Sequence, residues 1–286
     1  MSKVKKPLPP YQSQEGFVTA PILRGLHELK SIYQDVSSRG GIFCGGYVRW
    51  MCSPGPLRKI ERPTDIDIFP IIPEVFPKLV EYFEKHHKLV KRFENNMSIT
   101  YAVPKYPHVL SHLPFIQLVK PVLEGAVVAT GTIKKVLSNF DFTVVRIGFG
   151  AFNLLTDEVM ERWKYETSAT PPTGPNLVNR VRDMGTTISR YEESFAIADA
   201  DFIHDELTKT IRIKNIHCPI SSSFRMMKYR DKGYWPPIMQ VTKLFLDWDA
   251  RSPEYRARIL VFAKSSEANT LSPTDIDELE RLLRID

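Results

Sequence analysis

The chain has 286 residues, 43% hydrophobic and 25% charged, with a formal net charge of +6, which excludes a disordered chain and supports one large domain or two moderate ones. No run approaches the roughly 20 apolar residues of a membrane span, and the opening MSKVKKPLPPYQSQ carries no apolar signal segment, so a cytoplasmic protein without membrane contact is expected. The excess of cations suits a nucleotide or nucleic acid, and Cys44, Cys52 and Cys218 make neither a disulfide framework nor a paired zinc site.

Residues 1–16, with Lys3, Lys5 and Lys6 among prolines, read as a flexible basic tail, either solubilising or touching phosphate. From Ala20 to Val36 the apolar residues Ile22, Leu23, Leu26, Leu29, Ile32 and Tyr33 recur at three- and four-residue spacing, which predicts an amphipathic helix. GIFCGGYVRW then reads as a buried strand (Ile42 to Cys44), a glycine turn and the start of a second helix. TDIDIFPII is a strand, and Val75, Leu79, Val80, Phe83 and Leu89 predict a helix over 74–90 that opens on Pro73 and Glu74. SITYAVP, FIQLVKP and FDFTVVRIGFG are further strands, with a helix at TIKKVLSNF between the last two. The Pro- and Thr-rich run 166–176 is a loop or linker, and 177–286 is mainly helical, ending in a capped helix that starts near Ser272 or Thr274. This order predicts an α+β core over 17–165, a small mixed sheet flanked by helices, followed by a helical C-terminal region.

Asp65 and Asp67 stand two apart in a strand, so both carboxylates leave one face while Ile66 and Ile68 enter the core. Two adjacent carboxylates repel, and a divalent cation stabilises them while ionised. The spacing alone is unspecific, because Asp199 with Asp201, Asp247 with Asp249 and Asp275 with Asp277 share it. Those three pairs sit in polar, helix-like surroundings, where residues i and i+2 point to different faces and a solvated surface is the simpler reading. Gly45 and Gly46, where a strand passes into a helix, let backbone amides approach a phosphate, or make a plain tight turn; Arg49, about one turn on, can reach the same anion. Asp141 in SNFDFTVVRIGF is either a third metal ligand in an apolar strand or an aspartate bonded to turn amides at its start. With Asp65 and Asp67 it would complete the carboxylate set of two-metal phosphoryl transfer.

GGYVRW at 45–50, DIDIF at 65–69, NFDFTVVRIGF at 139–149 and CPISSSFRMMKYRDKGYW at 218–235 resemble, in order, four motifs of the DNA polymerase β-like nucleotidyltransferase superfamily. Those motifs are the GGxVRD turn, the DIDI strand, the RRDFTINA strand and the DPxRxLRAxRFAxxLGF helix of its tRNA CCA-adding and bacterial poly(A) polymerase branch. The resemblance implies a nucleotidyltransferase fold, magnesium (two ions, manganese as substitute), an NTP with ATP or CTP favoured, and Arg225 and Lys228 near the nucleotide or acceptor. Arg225, Lys228, Arg230 and Lys232 also form a cationic segment beside Tyr229, Tyr234 and Trp235, which could stack a base or simply cover an aromatic core. Trp50 stands for the family's aspartate, Asn139 and Phe140 for its paired arginines, and Ser222 or Ser223 for an acid, changes that bear on base and ribose selection. The expectation is a metal-dependent transfer of NMP from an NTP to a hydroxyl, with an RNA 3′ end the favoured acceptor and pyrophosphate released. An inactive binding or assembly subunit, and an enzyme modifying a protein or small molecule, are the alternatives.

Overall fold

The computed structural model describes residues 16–54, 63, 65–95, 97–104, 115–123, 126–127, 130–150, 195–216 and 219–257. The tail over 1–15, the 166–176 stretch and the helix expected after residue 272 lie outside these residues.

An eight-stranded mixed sheet forms the centre, in the order β1-β10-β9-β2-β3-β6-β5-β4. Its strands are β1 (Phe17–Pro21), β2 (Gly41–Cys44), β3 (Asp65–Pro70), β4 (Val90–Glu94), β5 (Ser98–Ala102), β6 (Phe115–Val119), β9 (Ile147–Phe149) and β10 (Phe195–Asp199). β7 (Val122–Leu123) and β8 (Ala126–Val127) make a separate hairpin. Only β3 and β6 pair in parallel; the other neighbours run antiparallel.

Helices α1 (Leu26–Ser38), α3 (Phe76–Glu81) and α4 (Ile133–Ser138) supply apolar faces to one core with the sheet, through residues such as Leu29, Leu79 and Val136. Within it Phe43 stacks on Phe149 at 5.1 Å, and Tyr33 stacks on Phe149 at 5.5 Å. Removing one such fully buried ring would cost about 3–5 kcal/mol. A second core joins Phe142 and Val144 to α6 (Pro219–Asp231) and α7 (Ile238–Ala250) through Met226, Tyr229, Tyr234 and Leu244.

Four segments differ from the sequence expectation. The helix expected from Ala20 starts at Leu26, because Phe17–Pro21 pair with β10 as an edge strand. The helix expected to Val90 ends at His86; Lys88 turns the chain with φ 52, and Val90 opens β4. In FDFTVVRIGFG only Ile147–Phe149 is strand, because Thr143–Val145 tighten into a 3-10 turn. Finally, within the mainly helical C-terminal region the sheet draws one strand from beyond 166–176: β10 inserts between β1 and β9. Asp199 therefore ends a strand, 1% exposed, and its carboxylate pairs with Arg146 at 2.9 Å, so it is no solvated helical decoy.

Candidate functional site

The site begins where β2 gives way to α2 (Gly46–Cys52). Cys44 is in register with Asp67 of β3, so the residue that follows it, Gly45, turns directly above that carboxylate. Gly45 has φ 78 and ψ −145, a conformation that side-chain-bearing residues rarely adopt, and a Cβ there would lie 2.7 Å from Asp67 Oδ2. Its N–H donates to the Ile147 carbonyl at 3.0 Å, tying the turn to β9. In front of Gly46 no described residue lies within 4 Å of where a Cβ would stand, which leaves space there among the described residues.

Ile66 and Ile68 are buried while Asp65 is exposed and Asp67 half-buried, the two-faced strand that alternation predicts. Burial, then the neighbouring Asp65, pushes the Asp67 carboxyl up to about 7, against a smaller opposing pull from Lys228. The oxygen donors of Asp65 and Asp67, on one face of β3, fit a hard divalent cation.

Asp141 does not join them. It lies in a bend ahead of the 3-10 turn, 3% exposed, and its carboxylate turns to α6: Oδ2 accepts from Ser222 Oγ at 3.1 Å and lies 3.2 Å from Arg225 Nε. Its carbonyl accepts the Lys214 N–H at 2.8 Å, while its Oδ1 is buried without a hydrogen-bond partner. Among the described residues no three His, Cys, Asp or Glu side chains come together as a metal cage. The apolar setting of Asp141 did demand a partner; a guanidinium supplies it.

Arg49 is held in the interior. It is 3% exposed, bonds to the Tyr234 hydroxyl, lies 3.5 Å from Glu206 and stands 5.6 and 5.5 Å from the ring centres of Tyr229 and Tyr234. Ser53 Oγ also donates to Glu206, and the Tyr234 hydroxyl donates to its other oxygen at 2.5 Å. Burial raises the Glu206 carboxyl, but Arg49, Ser53 and Tyr234 outweigh it and hold the group below its ordinary value. This buried node ties α2 to α5 (Phe202–Thr208) and to the residue that follows the Gly233 turn after α6. Sequence reasoning missed Glu206 and Ser53, because an acid in FIHDELT looks like any helical surface residue.

Arg225 and Lys228 each stand toward a carboxylate. Arg225 pairs with Asp141, and Lys228 lowers the Asp67 carboxyl. The neighbouring Tyr229 hydroxyl is pushed up to about 12 by burial, with Arg49 opposing the rise and Asp141 and Asp67 adding to it. Tyr229 and Tyr234 are 9% and 1% exposed and serve the core, whereas Trp235 is 67% exposed. Trp50, where the resembling motif has aspartate, packs at 5.3 Å from the Tyr47 ring, with Gly25 so close that a Cβ there would stand 2.5 Å from the indole.

No family model matches this chain, and no curated protein does. Solved structures similar to it include a CCA-adding enzyme in apo form I, at 16% identity and TM-score 0.44 over 90% of this chain and 51% of that one. The Thermotoga maritima CCA-adding enzyme complexed with tRNA-CCA gives 16%, 0.44, 94% and 51% in the same order. A CCA-adding enzyme complexed with CTP gives 16%, 0.46, 93% and 55%. This chain spans just over half the length of those proteins. Likeness at that level assigns no role to any residue. Among the described residues no helix is long and apolar enough to cross a membrane.

Proposed function

We propose that this chain transfers a nucleotidyl group from an NTP to a hydroxyl, with an RNA 3′ end as acceptor. One observation supports the reading: the Gly45–Gly46 turn stands directly against Asp67, with space in front of Gly46 among the described residues, so a phosphate and a cation could share one edge. Asp65 and Asp67 would hold magnesium or manganese. When bound, the cation supplies Lewis acidity at the reacting phosphate and lowers the pKa of the attacking hydroxyl. The Gly46 side of the turn admits the outer phosphates, and Lys228 offsets their charge beside Asp67. The acceptor oxygen forms a bond to the α-phosphorus, the bond from that phosphorus to the bridging oxygen breaks, pyrophosphate leaves, and the hydroxyl proton passes to solvent. ATP and CTP are the first nucleotides to try.

Incorporation of labelled NTP tests this, with magnesium or manganese and with RNA, proteins and small hydroxylated molecules offered as acceptors. Transfer to RNA that disappears in Asp65→Ala and Asp67→Ala is expected. No transfer to any acceptor, or transfer unchanged in Asp65→Ala, overturns the reading. The engagement of Asp141 by Arg225 and of Arg49 by Glu206 favours a second reading, a binding or assembly subunit on the same fold. Calorimetry separates them: a tight, metal-dependent NTP site supports the enzyme, and its absence supports the subunit.

A further inference from the structure

Helix α6 turns Ser222, Met226 and Tyr229 inward, at 1%, 7% and 9% exposure, a stripe spaced by four and three residues. Its outer face departs from the usual charged surface. Phe224 and Met227, one turn apart, are 60% and 59% exposed. Around them Arg225, Lys228 and Arg230 face a single acid, Asp231, within 224–231. The cationic edge of this face meets the acids described above, through Arg225 at Asp141 and Lys228 toward Asp67.

We propose that the outer face of α6 binds single-stranded nucleic acid, with a base stacked on Phe224 and the strand's phosphates on the flanking cations. An exposed aromatic ring flanked by cations matches the two chemistries of a nucleic-acid strand, the π-face of a base and the charge of a phosphate. A duplex hides its bases, so the strand must be single. A second copy of the chain is the poorer occupant, because a two-fold contact through this face would set its cations against themselves. The inference rests on RNA being the acceptor and adds where the acceptor's bases lie.

The test uses the full chain with Asp65→Ala, without NTP, so that its outcome is independent of whether transfer occurs. Fluorescence anisotropy compares a short uridine oligonucleotide with an abasic strand of equal length, which has the phosphates and lacks the bases. The oligonucleotide is expected to bind more tightly than the abasic strand. Phe224→Ala is expected to weaken the oligonucleotide by about tenfold and leave the abasic strand unchanged, and Phe224→Trp to restore the difference. Because Phe224 is exposed, a thermal melt should show Phe224→Ala as stable as its parent. Equal binding of the two strands, an unchanged Phe224→Ala, or equal capture of an acidic peptide overturns the proposal. So does self-association in sedimentation that Phe224→Ala abolishes, which would make the face a dimer contact.

Discussion

Replacing Gly45 by alanine separates the turn's conformation from its function. At φ 78 and ψ −145 any side chain is strained, at a cost of about 1–3 kcal/mol. The new methyl would also stand 2.7 Å from Asp67 Oδ2, so that carboxylate must rotate to make room. A loss of about 2 kcal/mol lowers Tm by roughly 4–8 °C in a chain of this size. The rotation should weaken cation binding as well. Manganese at about a hundred times its Kd stabilises the wild type by about 2.7 kcal/mol, and Gly45→Ala should recover much less. Gly46→Ala is the control: no neighbour lies within 4 Å, so stability and manganese binding should hold while NTP affinity falls as the methyl occupies the open side. Circular-dichroism melts with and without manganese read the stability and cation terms. A Gly45→Ala protein that melts with the wild type, or gains as much from manganese, refutes this account of the turn.

Arg49→Met should leave Glu206 buried with only the partly exposed Lys209 at 3.0 Å as its cation, costing about 3 kcal/mol in urea denaturation. Adding Glu206→Gln should return most of that loss, and a single mutant within about 1 kcal/mol of wild type would show that the node does not hold α2. The Asp67 carboxyl gives a pH signature in a chelator. Its folded value of about 7 lies above the ordinary 3.8, so the folded state binds more protons and loses stability as pH rises between those values. Asp67→Asn should lack that decline, and manganese, which takes the ionised pair, should reverse it above the upper value; parallel urea midpoints for wild type and Asp67→Asn across the range would contradict the shift.

What could be read in the chain was what depends on near neighbours. Alternation alone put Asp65 and Asp67 on one face of β3, and a glycine pair after Cys44 announced the turn. The cationic run at 225–232 could be seen as a helix but not as the helix that crosses the acids. What escaped depends on partners far along the chain. Phe17–Pro21 is a strand only because β10 lies beside it, and the spacing of Ile22 and Leu23 gave a helix that local periodicity could not distinguish. Arg49 sits one turn past the glycines, yet its direction is decided by residues 206 and 234. Asp141 and Asp199 each needed a counter-charge, and nothing in their own segments says that it is Arg225 for one and Arg146 for the other.

Those pairings also explain why Asp67 stands apart. Asp199 has Arg146, Asp205 has Arg212, Glu206 has Arg49 and Asp141 has Arg225, each with a guanidinium nitrogen within 3.5 Å. A buried acid that keeps such a partner is structural, since breaking the pair strands a charge in the interior. Asp67 has no guanidinium partner among the described residues; Asp65 beside it repels, and Lys228 only partly compensates. The fold answers these four buried acids with arginine and leaves the half-buried Asp67, next to the glycine turn, without one among the described residues. Under the proposed function that is where a divalent cation would bind, and the missing counter-charge separates Asp67 from Asp199, which shares its D-x-D spacing but pairs with Arg146.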